Sequence, residues 1–402
     1  MQAACPDARP RMSSGLAWLF ACAAGMSVAN VYYAQALLDA LATDLSISHA
    51  AVGAVVAATQ AGCALALFLL VPLGDLVERR RLMLVQALAL VAALVGVGLA
   101  QSVGILLTAM LLTGLLGTAM TQGLIAYAAS SAAEHERGRI VGATQGGVFA
   151  GLLLARVFAG AVSDLAGWRS VYAGAAAAML LMAILMWRRL PRLAGARSAM
   201  TYRALLASMF VLLRRHRVLQ VRGMIALLMF AALNVFWSAL VLALSAPPYG
   251  FSHTAIGAFG LIGACGALAA TRAGRLADQG LGQRTSLLAL GLLLLAWLPL
   301  SLMHVSLWAL VAGIVLLDLG AQALHVTNQG MIFRAGSEAH GRLVGAYMLF
   351  YAIGSGMGAM GATIGFTHAG WSGVCVLGAA ISLLALLFWA ASRRLHTAGA
   401  GR

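Results

Sequence analysis

The chain contains no lysine: all 26 of its basic residues are arginine. A phosphate-cradling GxxxxGK[ST] loop is therefore impossible, and ATP hydrolysis of that kind with it. Charge of either sign is scarce. Only 9% of the 402 residues are charged against about 25% in soluble domains, while 62% are hydrophobic. Too little polar surface exists to cover a soluble globule. The five cysteines (Cys5, Cys22, Cys63, Cys265 and Cys375) show no CxxC or other ligand spacing. They read as small apolar residues, and neither a metal nor a cofactor is expected.

What the chain has in abundance is long apolar runs, each sufficient to cross about 30 Å of hydrocarbon. Twelve are expected: 15–40, 50–72, 82–101, 104–130, 140–163, 170–187, 223–245, 254–274, 285–303, 306–332, 343–366 and 371–391. The first exceeds the apolar core of a signal peptide and is kept as a span. The implied fold is an all-α membrane protein.

The formal net charge of +15 does not mark a nucleic-acid footprint, because the arginines follow topology. With a cytoplasmic N-terminus, 24 of them fall on the inner side, nine in 188–222 alone. Arg169 falls outside and Arg156 within a span. This positive-inside bias places both termini in the cytoplasm of a bacterial inner membrane, with lipid headgroups as a partner of the basic loops.

The chain also repeats itself about 203 residues apart. Gly138-Arg139 and Gly167-Trp168 frame one segment, and Gly341-Arg342 and Gly370-Trp371 frame its counterpart. The same offset carries Asp75 onto Asp278, and one residue more carries Ser48-His49 onto Ser252-His253. Such a repeat implies two homologous six-helix bundles, 1–187 and 223–402, joined by a basic cytoplasmic linker at 188–222. Within the linker, 204–213 is apolar between arginines and fits a short amphipathic helix on the inner leaflet.

The loops VPLGDLVERRR (71–81) and GRLADQGLGQR (274–284) resemble the signature of the major facilitator superfamily. The second copy matches at Gly274, Asp278, Gly282 and Arg284; the first has Val71 in place of the opening glycine but keeps Asp75, Arg79 and Arg80. The resemblance implies twelve helices in two pseudo-symmetric bundles. It also implies that Asp75, Arg79, Arg80, Asp278 and Arg284 form an inner gate latch; plain topology-setting charge is the alternative. Two departures weigh against proton-coupled drug export. The fifth span has Gly142, Gly146, Gly147, Gly151 and Gly160 but no proline, and the fourth lacks an arginine near its start.

Polar groups at mid-membrane depth are costly and point to a site. In the tenth span, Asp318, Gln322, His325 and Gln329 fall within about 60° of one another at 100° per residue, with Asn328 to the side. By resemblance this stripe faces a central cavity, where Asp318 and His325 can carry a proton. Helix-to-helix hydrogen bonding is the competing reading. In the fifth span, Arg156 shares a face with Gln145 and has Ala359 at its counterpart position. Arg156 reads as an anchor for an anionic group, as a partner of Asp318 in one state, or as a structural ion pair with Asp164 or Asp39. Asn30, Tyr33 and Gln60 complete the candidates. Trp168, Trp308, Trp371, Trp187 and Trp389 read as an interfacial belt.

The sequence thus indicates a monomeric secondary transporter of a small organic solute, not an enzyme. The expected mode is alternating access in the export direction, with protons as the coupling partner. Uptake by a symporter or uniporter of the same fold stands as the alternative, and a transport-inactive sensor as a further one.

Overall fold

The computed structural model describes residues 12–191, 201–335 and 340–399. Among them, ten helices are long and apolar enough to cross a membrane. The first six are Ser14–Ala36, Gly53–Gly74, Arg79–Gly98, Val103–Ser131, Arg137–Ala166 and Trp168–Arg189. The seventh is Arg217–Ser245, the ninth Gly282–Ser301 and the tenth Leu307–Ala335. The last helix, His340–Gly399, is two spans, because Ala369 and Gly370 leave helical geometry. The eighth span is broken into His253–Ala258, a 3₁₀ stretch Phe259–Gly263, and Ala264–Asp278. Together these make the expected twelve.

Hydroxyl caps start several of these helices. Ser13, Ser102, Thr201 and Ser252 each accept the backbone N–H three residues on. Thr201 opens the linker helix Tyr202–Arg215, whose Leu205 and Met209 are buried and whose Arg203, Arg214 and Arg215 are exposed. It lies against the end of the second span, where the Tyr202 hydroxyl donates to the Leu69 carbonyl and Phe210 packs edge-on against Phe68.

The repeated Gly-Trp frame has a conformational reason. Gly167 and Gly370 both adopt positive φ, +81° and +57°, turning the chain between the fifth and sixth and between the eleventh and twelfth spans. The tryptophans that follow are structural parts. Trp168 and Trp371 are buried, donating to the Asp44 carboxylate and the Leu300 carbonyl, and buried Trp389 donates to Gln283. Only Trp308 and Trp187 of the expected belt are exposed. An indole N–H inside a span needs an acceptor, and these three find one in the protein.

Small residues let the spans touch at backbone distance. A β-carbon on Gly151 would stand 2.1 Å from the Gly25 carbonyl oxygen, and one on its counterpart Gly354 would stand 2.1 Å from that of Leu227. The first and fifth spans thus pack as the seventh and eleventh do. Replacing Gly354 by alanine forces those backbones apart at a cost of about 1–3 kcal/mol. A thermal melt in detergent should show a clearly lowered midpoint; an unchanged one would mean the contact is dispensable.

Other close contacts join the halves at the end away from the termini. A β-carbon on Gly53 would meet the Ala359 carbonyl at 2.6 Å, and one on Gly257 the Arg156 carbonyl at 2.4 Å. The second and eleventh spans, and the fifth and eighth, are closed against each other there.

Candidate functional site

Two connected cavities lie between the halves. The smaller, about 80 Å³, is lined by Arg156 and Asp318 together with Gln35, Asn234, Trp237 and Gln322. The larger, about 430 Å³, holds Gln145, Gln322, His325 and Gln329 and reaches Val344 near the start of the eleventh span. It lies toward the face that carries the chain termini. Tyr32 and Tyr351, one from each half, line both cavities and touch through their hydroxyls.

Arg156 is 7% exposed, and no carboxylate among the described residues lies within ion-pair distance of it. Its Nη2 donates to Gln35 Oε1 at 2.8 Å, and Gln35 Nε2 donates on to Asn234 Oδ1 at 2.7 Å. The guanidinium lies 4.3 Å from the Trp237 ring centre and 5.6 Å from that of Tyr32. Aromatic faces stabilise a cation without neutralising it. Its Nε remains without a hydrogen-bond partner. Asp318, also 7% exposed, has Trp237 within hydrogen-bonding reach and its Oδ2 unpartnered.

The tenth-span stripe is continuous in space. Asp318 and Gln322 line the small cavity, and Gln322, His325 and Gln329 the large one. His325 Nδ1 lies 3.0 Å from the Tyr347 hydroxyl, and its Nε2 lies 3.3 Å from Gln329 Nε2. Asn328 points away from the cavity and accepts from Arg222 at 3.3 Å. Arg222, expected among the linker charges, is instead buried in the seventh span and also donates to Ser286 at 2.7 Å.

Other candidates fall elsewhere. Tyr33 is core, packed at 5.6 Å on Phe158 and 6.4 Å on Tyr172, while its neighbour Tyr32 reaches the cavities. The chain tightens to a 3₁₀ turn at Tyr33–Ala36, which shifts the helical phase. Asn30 is buried and lines neither cavity. Gln60 borders an apolar groove of about 510 Å³ between the second and eleventh spans, beside Tyr351.

Of the expected gate residues, Arg79 donates to the Gly74 and Ala126 carbonyls, both at 3.1 Å, and to the Ser130 hydroxyl. Arg80 donates to the Trp187 carbonyl. Those contacts stay within the first half. Arg284 is exposed, and the side chains of Asp75 and Asp278 lie outside the described residues.

Asp39 and Asp164 do not pair with Arg156. Both hold His253, just before the apolar run 254–274, at the rim opposite the termini. Its Nδ1 is 2.9 Å from Asp164 Oδ1, and its Nε2 lies 3.0 and 3.1 Å from the Asp39 oxygens. Asp164 also accepts from the His253 and Thr254 N–H groups at 3.0 and 2.8 Å, and from the Thr254 hydroxyl at 2.6 Å. A neutral imidazole has one donor and one acceptor, so two carboxylates facing its two nitrogens require the imidazolium. The hydrogen bond that His253 donates to Asp39, then the one it donates to Asp164, raises the His253 pKa to about 9 against the opposing effect of burial. This cluster ties the two halves together. Its sequence signal was present in the Ser48-His49/Ser252-His253 repeat, but His49 is exposed and only the second copy meets carboxylates.

Twelve helices in two similar bundles around a cavity with buried charges define a membrane transporter of the two-bundle type. Residues 18–279 match the Major Facilitator Superfamily. An uncharacterized transporter, YgaY, of Escherichia coli O157:H7 is 40% identical over 378 residues, covering 94% of this chain and 95% of that protein. A probable transporter of Streptomyces coelicolor is 31% identical over 368 residues, covering 90% of this chain and 84% of that one. Two solved structures share the fold at low identity. One is the peptide transporter POT in complex with sulfate, with TM-score 0.76, 14% identity and 96% of both chains covered. The other is a D-xylose–proton symporter, with TM-score 0.73, 16% identity, and 93% and 96% covered. The chain belongs to the major facilitator superfamily and is a multi-pass membrane transporter.

Proposed function

We propose that this transporter exports a small organic solute across a bacterial inner membrane by alternating access, in exchange for protons. The observation that carries the reading is Arg156 and Asp318: two buried, opposite charges, each with an unfilled hydrogen-bonding atom, facing one cavity between the halves. Buried charges left without an ion-pair partner are expensive, and a site that receives a charged ligand gives them a purpose. Asp318 is the proton-exchanging carboxylate, and His325 with Gln329 extends its polar path toward the termini.

The arginine distribution supports cytoplasmic termini, which makes the closed rim at His253 the outer gate and the described state inward-facing. The inner gate is assigned to Asp75, Arg79, Arg80, Asp278 and Arg284, which meet when the inner side closes. Residues 1–187 and 223–402 act as the two rocking bodies, and one chain contains a whole pathway, in keeping with a monomer.

Everted membrane vesicles offered a compound panel from outside, with and without a pH gradient, test the reading. Export appears as gradient-driven accumulation of at least one compound. Accumulation that persists when the gradient is collapsed removes proton exchange, and accumulation of nothing removes the transporter assignment of the site.

A further inference from the structure

The small cavity carries information about the ligand itself. Its two charges sit over one short segment, the 3₁₀ stretch Phe259–Gly263 of the eighth span. A β-carbon on Gly260 would stand 3.2 Å from Arg156 Cδ, and one on Gly263 would stand 2.8 Å from Asp318 Oδ2. In a 3₁₀ turn, residues three apart eclipse one another about 6 Å apart along the axis. Two glycines in this register therefore let the Arg156 stem and the Asp318 carboxylate pack closely against this turn. The surrounding walls are apolar, with Phe149, Leu152, Phe230 and Leu233 shared by both cavities.

The charges also differ in what remains unpartnered. The Trp237 and Tyr32 rings lie 4.3 and 5.6 Å from the guanidinium and Gln35 takes one Nη, while the buried Nε has no hydrogen-bond partner. A guanidinium edge is the natural partner of a planar carboxylate. The buried, unpartnered Asp318 oxygen accepts only, so its partner must be a donor, best a cationic one. A ligand bearing one charge would satisfy one group and strand the other in a low-dielectric site. A ligand with both neutralises the pair.

We propose that the transported solute is a small zwitterion of the amino-acid type, its carboxylate on Arg156, its ammonium on Asp318, and an apolar remainder extending toward the larger cavity. This rests on the transporter reading above and narrows it to a substrate class. The volume of about 80 Å³ beside the charges suits an amine and a carboxylate on the same or neighbouring carbons. Bulk is accommodated only beyond Tyr32 and Gln322.

The test uses the purified full-length protein in detergent, with binding read by thermal shift and titration. The probes are the twenty common α-amino acids and β-alanine, each beside its methyl ester and its deaminated acid. The expected result is binding of at least one amino acid, weakened tenfold or more when either charge is removed. Arg156→Gln and Asp318→Asn should each lose that binding, and Arg156→Lys should retain part of it. The proposal is overturned if no amino acid binds, or if the ester or the deaminated acid binds as well as its parent. Because the analogues are compared on the unaltered protein, a variant that fails to fold does not obscure the answer. Vesicle export of a singly charged or neutral compound, with the amino acids inert, would sink the zwitterion and leave the transporter standing.

Discussion

Arg156→Ala is expected to reduce transport to about a hundredth of the parent rate or less, with the protein still inserted and folded. The guanidinium is one of two buried charges at the cavity, and its contacts there are Gln35 and two aromatic rings rather than an acid. Its removal takes away the proposed anchor for an anionic group and the counter-charge that Asp318 feels. Losing one member of such a buried arrangement costs about 3 kcal/mol, close to a hundredfold in rate or affinity. Asp318→Asn keeps the shape and removes the charge; it should abolish the response to a pH gradient. Arg169→Ala serves as the comparison, because Arg169 pairs with Asp44 at an exposed rim, where ion pairs contribute little. Its transport should stay within about twofold of the parent. Equal rates for Arg156→Ala and the parent on every substrate would remove Arg156 from the site.

The second large effect is expected at the rim. In the closed form the His253 pKa is raised to about 9, against about 6.5 for an imidazole facing water. Closure is therefore favoured in full below pH about 6.5, weakens as pH rises from there, and loses this contribution above about 9. Two and a half units would give a few hundredfold without solvent. His253 keeps 21% of its side-chain exposure, and screening reduces the expected shift to about tenfold in the closed-to-open ratio. Spin labels on the rims of the two halves should report a growing separation between pH 6.5 and 9. His253→Gln should show the wider distance already at pH 6 and no change with pH. A parent protein whose separation ignores pH, or a glutamine variant that still follows it, would dismiss the imidazolium as the latch.

The sequence disclosed the helices, the duplication and both central charges, because each rests on a local signal. Apolar run length reports a span, and an arginine or aspartate inside such a run has no neutral explanation. The breaks in the duplication were equally legible, since Arg156 faces Ala359 and Asp318 faces Leu115 at the 203-residue offset. Partners of those charges were not. Trp237 and Tyr351 look like any aromatic in an apolar run until helix rotation is known. Tyr33 sits in the core and Tyr32 at the cavities, a helical phase set by the 3₁₀ turn at Tyr33–Ala36 that the sequence does not mark. Asp39 and Asp164 read in the sequence as ion-pair partners for Arg156, and only tertiary packing assigns them to His253. Trp168, Trp371 and Trp389 carried the composition of a membrane belt and serve as internal hydrogen-bond donors. A position near a span end does not say which way an indole points.

The fifth span places Arg156 and Asp164 eight residues apart on one continuous helix, about 12 Å along its axis. The first turns of the eighth span lie on that same stretch, with Gly257 against the Arg156 carbonyl and Gly160 against that of His253. The fifth helix is thus a stiff crossbar with the proposed handhold for cargo at one end and the His253 cluster at the other. Nothing flexible separates the two. On the proposed reading, a tug on the guanidinium that rotates this bar carries the Asp164 carboxylate past the imidazole, linking the seat to the rim through rigid backbone alone.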